Sequence, residues 1–219
     1  MTPPALTWVA GGSGLVGREL LRQLDDRPVL ALVRRPLAGL PGSALRQEAI
    51  VDLLALPASL PEPQQVFIAL GTTMAQAGSQ AAFRAVDFDA VLAVARAARD
   101  RGATRCGVVS ALGADARSGV FYNRVKGEAE AALQTLGFER LVIARPSLLD
   151  GARESLGQPH RAGEAWSLRL ARPLAPLIPK AWRPIGADRV ARALRLALDQ
   201  PGPAVQVLES GAMQTLGAP

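Results

Sequence analysis

One tyrosine and two lysines occur in the 219 residues, and one lysine stands four places after the tyrosine, in Tyr122-Asn123-Arg124-Val125-Lys126. On a helix, positions four apart share a face, so this spacing sets an ammonium beside a phenol. A phenol titrates near about pH 10, and a cation about 4 Å away in an effective dielectric of about 20 supplies about 4 kcal/mol towards its anion. The pair is therefore suited to giving and taking a proton near neutral pH. Arginine makes up 23 of the 25 basic residues, so a lysine here points to a compact ammonium rather than a planar guanidinium. Ser110 lies twelve residues before Tyr122, closing the apolar run Cys106-Gly107-Val108-Val109. Ser110, Tyr122 and Lys126 are the candidate catalytic residues.

The elements that must position them read as alternating strands and helices. Short β-branched runs are expected as strands at Leu6 to Ala10, Val29 to Val33, Ala49 to Val51, Val66 to Leu70, Cys106 to Ser110, Leu141 to Ala144 and Val205 to Leu208. Amphipathic stretches from Leu15 to Leu24, Gln80 to Arg101, Tyr122 to Leu136 and Asp188 to Leu198 are expected as helices. In the second, Phe83, Val86, Ala90, Val94 and Ala97 form the stripe expected to face the sheet. The pattern predicts an α/β fold, a Rossmann-type doubly wound parallel sheet with helices on both faces. Ser110 then falls at the carboxyl edge of the sheet, where such folds collect ligands.

The first strand runs into Gly11-Gly12-Ser13-Gly14-Leu15-Val16-Gly17, which opens the first helix. Glycines at 11, 14 and 17 let backbone N–H groups approach a pyrophosphate, and the helix N-terminus favours its charge. The motif predicts a nicotinamide dinucleotide. The second strand ends in Val33-Arg34-Arg35-Pro36, with no acid to read a free ribose hydroxyl. Two arginines there suit a 2′-phosphate, so NADP(H) is preferred and NAD(H) is the alternative.

Taken together, these features resemble the short-chain dehydrogenase/reductase family, and within it the atypical NAD(P)H-binding branch that includes Tat-interacting-protein-like oxidoreductases. The likeness extends to Ile68-Ala69-Leu70-Gly71-Thr72-Thr73, Ala77-Gly78-Ser79, Val86-Asp87, Val109-Ser110-Ala111, Lys126-Gly127-Glu128, Ala144-Arg145-Pro146-Ser147 and Asp188-Arg189-Val190-Ala191. The resemblance implies that Asp52 and Leu53 meet the adenine, and that Gly71, Thr72 and Pro146 line the cofactor. It also implies that Ser110 holds a carbonyl while Tyr122 and Lys126 transfer the proton. Ala10 departs from the branch, which often has threonine there. Two functions are open: an oxidoreductase acting on a small carbonyl or alcohol, or a non-catalytic cofactor sensor that acts through a protein partner.

Length and composition fit one domain, residues 1–219, with a small lid or substrate lobe at 151–204. Pro159, Pro173, Pro176, Pro179 and Pro184 interrupt that lobe, His160 reads as a solvated loop residue, and Gly211 to Pro219 is expected to be mobile. The net charge of +6 divides unevenly, with 9 basic and 5 acidic residues from 151 onward. Arg153 and Arg161 are thus expected to meet an anionic group of the substrate or cofactor. Aromatics are only 4% of the chain and form no stacking surface, so no nucleic-acid partner is expected. Cys106 as the single cysteine calls for neither disulfide nor metal. No secretion signal or membrane span is read in the sequence, and the expectation is a cytoplasmic protein.

Overall fold

In the computed structural model, which describes residues 5–150 and 182–218, the strands form in chain order. They are β1 (Thr7–Ala10), β2 (Val29–Val33), β3 (Arg46–Ile50), β4 (Gln65–Ile68), β5 (Arg105–Val109) and β6 (Arg140–Arg145), then β7 (Leu149–Asp150), β8 (Ile185–Gly186) and β9 (Val205–Glu209). Seven make one sheet in the order β3-β2-β1-β4-β5-β6-β9, every neighbouring pair parallel. The chain steps outward from β1 to β3, then returns past β1 to β4. That reversal leaves a crevice above the carboxyl ends of β1 and β4, where doubly wound sheets bind ligands.

Helices cover both faces because the central strands are apolar on both sides. β1, β2 and β4 are buried at every position, as expected of parallel strands sealed between two layers. Trp8, Ala10, Leu30, Leu32, Val66 and Ile68 point to one face, towards α4 (Val91–Asp100), which follows α3 (Gln80–Arg84), and α5 (Phe121–Gln134). The alternate residues Val9, Ala31, Val33, Phe67 and Val142 point to the other, towards α1 (Leu15–Gln23), α6 (Ala187–Asp199) and α7 (Ser210–Leu216). A short α2 (Met74–Ala77) precedes α3 and is capped by the Thr73 hydroxyl, which accepts from Gln76 N at 3.1 Å.

Three expectations need correction. The helix expected from Gln80 to Arg101 contains a π-helical turn at Ala85–Ala90. One extra residue in a turn rotates the rest of the helix about its axis, so Asp87 and Ala98 are buried where Val86 and Ala97 were expected. Secondly, the segment expected to be mobile from Gly211 is helical through Leu216, because Met213 is fully buried against the α6 layer. Thirdly, β8 and α6 fall within the 151–204 segment, yet α6 packs beside α1 in the main core. Residues 151–181, with Arg153, His160 and Arg161, lie outside the described residues. No described helix is long and apolar enough to cross a membrane.

Candidate functional site

Two adjoining hollows, about 400 Å³ and about 730 Å³, run along the carboxyl edge of the sheet and share Gly14, Ala69, Leu70, Gly71, Thr72 and Gln76. The larger is lined by Gly11, Gly12, Ser13, Arg34, Arg35, Asp52 and Leu53. The smaller is lined by Leu15, Val16, Ser110, Tyr122, Lys126 and Pro146. Among the described residues, every one expected in the site therefore borders one of these adjoining hollows, except Gly17.

Gly17 shapes the cleft from behind. A Cβ there would overlap the carbonyl oxygen of Gly11, so only glycine lets α1 approach the turn this closely. Gly11 has φ +91°, and a side chain there would overlap the Ala69 carbonyl beyond β4. α1 starts with no side-chain cap and no acid in its first turn. Its N-terminal N–H groups consequently favour an anion. This cradle of close backbone, closed to any Cβ, fits a dinucleotide pyrophosphate.

Arg34 and Arg35 are exposed at the end of β2 and pair with no described residue. Asp52, by contrast, turns one oxygen to its own loop and accepts from Leu54 N at 2.9 Å. Leu53 is buried beneath it.

Tyr122 is the second residue of α5, and its ring lies 5.4 Å from that of the fully buried Phe83. Its hydroxyl makes no hydrogen bond to a described residue, and Tyr122 lines the smaller hollow. Gly127 lets the loop after β5 lie on α5, since a Cβ would overlap Ala116 N. This packing holds Ser110, at the start of that loop, and Tyr122 on the same cleft wall.

Lys126 is paired, a feature that sequence spacing did not foretell. Its Nζ is 2.7 Å from Asp87 Oδ1, and the two side chains are 7% and 0% exposed. Asp87 Oδ2 accepts from Thr72 N at 2.8 Å, so the π-helical turn, α5 and the loop after β4 meet at one carboxylate. The ammonium expected to serve the phenol and a ribose is shared with an acid. Asp87 appeared in the sequence only as part of a resembling dipeptide; the signal was an acid within the otherwise apolar Ala85-Val86-Asp87-Phe88 run.

Glu130 and Arg145 were also missed as site residues. Ser110 Oγ is 2.5 Å from Glu130 Oε1, and Arg145 forks that carboxylate through Nε at 3.0 Å and Nη2 at 2.5 Å. Glu130 raises the Arg145 guanidinium pKa above its ordinary value, chiefly through that hydrogen bond. Cys106 takes no part: it is fully buried, and loss of solvation pushes its thiol pKa well up.

No protein-family model matches the chain. Among solved structures, it is similar to MoeE5 in complex with UDP-glucose and NAD, at TM-score 0.68 and 20% identity over 93% of this chain and 75% of that one. It is also similar to a short-chain dehydrogenase/reductase superfamily protein from Agrobacterium tumefaciens with bound NAD, at TM-score 0.69 and 17% identity, covering 93% and 77%. These likenesses establish the Rossmann-like fold, a seven-stranded parallel sheet with helices around it. Among curated proteins, "Protein FMP52, mitochondrial" of Eremothecium gossypii is 36% identical over 222 residues, 95% of each chain. Its namesake from Coccidioides immitis is 34% identical over 171 residues, 68% of each. Their naming as mitochondrial overturns the cytoplasmic expectation, which a lone buried cysteine could not support because it does not distinguish one reducing compartment from another. With a relative 36% identical over 95% of its length, the chain belongs to the FMP52 family.

Proposed function

We propose that the chain is an NADP(H)-dependent oxidoreductase of the short-chain type, interconverting a small carbonyl compound and its alcohol, with NAD(H) as the alternative cofactor. The observation that supports this most directly is the unpartnered Tyr122 hydroxyl on a cleft continuous with the glycine cradle. The resemblance to the Tat-interacting-protein-like branch points the same way.

When bound, the dinucleotide supplies or accepts a hydride. Gly11 to Val16 would hold its pyrophosphate through backbone N–H groups, and Arg34 and Arg35 would pair with a 2′-phosphate. Tyr122 gives a proton to the substrate oxygen in reduction and takes it back in oxidation. Lys126, steadied by Asp87, presents positive charge to that side of the cleft. A partnerless phenol beside this pair favours turnover over a purely sensing role.

The test pairs cofactor affinity with turnover of small aldehydes, ketones and quinones. Tyr122→Phe should abolish reduction while leaving NADPH binding nearly intact. Wild-type turnover in Tyr122→Phe would sink the proton path. No turnover by the native protein, together with an NADPH-dependent change in protein binding, would establish the sensor instead.

A further inference from the structure

Among the described residues, the Ser110 hydroxyl has one acceptor, the Glu130 carboxylate. Ser110 is 7% exposed and Glu130, from the middle of α5, is 4% exposed. Ser110 Oγ lies 2.5 Å from Glu130 Oε1. The same carboxylate is gripped by Arg145, with Nε at 3.0 and 3.2 Å from its two oxygens and Nη2 at 2.5 Å from Oε2. Arg145 continues through Nη1 to Glu209, 3.2 Å away. A carboxylate forked by a guanidinium has only acceptor sites, whereas a serine hydroxyl has one proton and two lone pairs. Ser110 must therefore be the donor. With its proton committed to Glu130, Ser110 has only lone pairs to offer a ligand in the cleft it lines.

The contact is not needed to hold the framework together. Arg145 already ties β6 to α5 through Glu130 and to the end of β9 through Glu209. Nor is it a proton relay, because a guanidinium does not give up its proton in proteins. The remaining effect is on the orientation of the Ser110 hydroxyl.

We propose that Glu130 is a positioning residue that fixes Ser110 as a hydrogen-bond acceptor, so that the site selects substrates bringing a hydroxyl proton to Ser110. Such substrates are vicinal diols in the oxidative direction and, in the reductive direction, carbonyl compounds with a hydroxyl on the neighbouring carbon. This rests on the carbonyl–alcohol reading above and names its substrate class. In reduction the carbonyl carbon gains the hydride and the carbonyl oxygen takes its proton from Tyr122. The neighbouring hydroxyl donates to Ser110 Oγ without any bond being made or broken. A plain ketone has no proton to offer Ser110.

The first measurement needs no substrate. In proton NMR of the native protein, the Ser110 hydroxyl should give a downfield, slowly exchanging resonance that is absent in Ser110→Ala and displaced in Glu130→Gln. Its absence from the native spectrum overturns the proposal. The second compares NADPH-driven reduction of hydroxyacetone with that of acetone. The native protein should favour hydroxyacetone in kcat/KM by about tenfold, the worth of one hydrogen bond. Ser110→Ala should remove the preference mainly by raising KM, and Ser110→Thr should restore it. Glu130→Gln, whose amide can donate to Ser110 and free its proton, should bring the ratio towards one. A preference unchanged in Glu130→Gln while thermal stability falls assigns Glu130 a structural role and overturns the proposal. Turnover of both ketones without preference also overturns it. Turnover of neither, with the resonance present, overturns the oxidoreductase reading while supporting the fixed orientation of Ser110.

Discussion

Lys126 Nζ lies 2.7 Å from Asp87 Oδ1 in a buried ion pair on the wall of the cleft. Removing one partner of such a pair leaves a buried charge uncompensated, a loss of about 3–5 kcal/mol. Asp87→Ala should destabilise the protein on that scale in chemical denaturation. Asp87→Asn keeps an acceptor for Thr72 N–H and should fold. It exposes the proton-transfer site to the full field of Lys126, so the pH profile of turnover should move to lower pH. An unmoved profile would show that the pair has no electrical influence on the proton path.

In the proposed function, cofactor choice is assigned to two exposed cations at the end of β2, Arg34 and Arg35. Replacing Arg34 and Arg35 together with alanine should weaken NADPH binding by about tenfold to a hundredfold, the range for charge-assisted hydrogen bonds. NADH affinity should change little. Calorimetry with both cofactors separates these outcomes. Equal losses for the two would mean that the arginines do not read the 2′ position.

Gly17→Ala tests the geometry of the cradle. Its new methyl group would overlap the Gly11 carbonyl, a backbone atom that cannot swing aside. Such overpacking costs about 1–3 kcal/mol. The variant should show a lower melting temperature and weaker dinucleotide binding, measured by thermal unfolding and fluorescence titration. A stable variant with unchanged affinity would contradict the close approach of α1 to the turn.

Acid should weaken the junction between α1 and α6. Arg27 donates to Asp26 at 2.9 Å and to Asp199 at 2.8 Å. The Arg27 hydrogen bond holds the Asp26 carboxyl below its ordinary pKa of 3.8. A carboxyl depressed by folding stabilises above its unfolded pKa, and that contribution disappears as pH falls through the folded value. Asp26→Asn should therefore melt below the native protein at neutral pH, with the gap closing below about pH 4. A gap independent of pH would assign the difference to something other than charge.

The parallel sheet, the glycine turn and the Tyr122–Lys126 pair were legible because each depends on local spacing. Apolar runs mark β1, β2 and β5 directly, and Gly11 to Gly17 is a contiguous motif. Glu130 was opaque for the opposite reason. Eight residues beyond Tyr122 on a helix of mixed polarity, it reads as a solvated acid, and only the folded sheet brings Ser110 and Arg145 to it. Asp87 was hidden by the assumption of a uniform helical period from Gln80 to Arg101, which the π-helical turn breaks. Short α7 lacks the length for a periodic signal, and it is anchored by Met213, fully buried, with Leu216 packed against the same core.

The π-helical turn separates two selective pressures that a regular helix would bind together. Upstream and within it, Ala82, Ala85 and Val86 line the cleft. Downstream, Val91, Val94 and Ala98 fill the core against the sheet. With one extra residue between the two halves, sequence drift on the ligand-facing side does not have to preserve the core-facing stripe. Loss of a single residue there would have the opposite effect, turning Phe83 and its aromatic neighbours out of register with everything packed behind them. Insertions and deletions in Ala85–Ala90 should therefore be rarer among functional descendants than substitutions at the same sites.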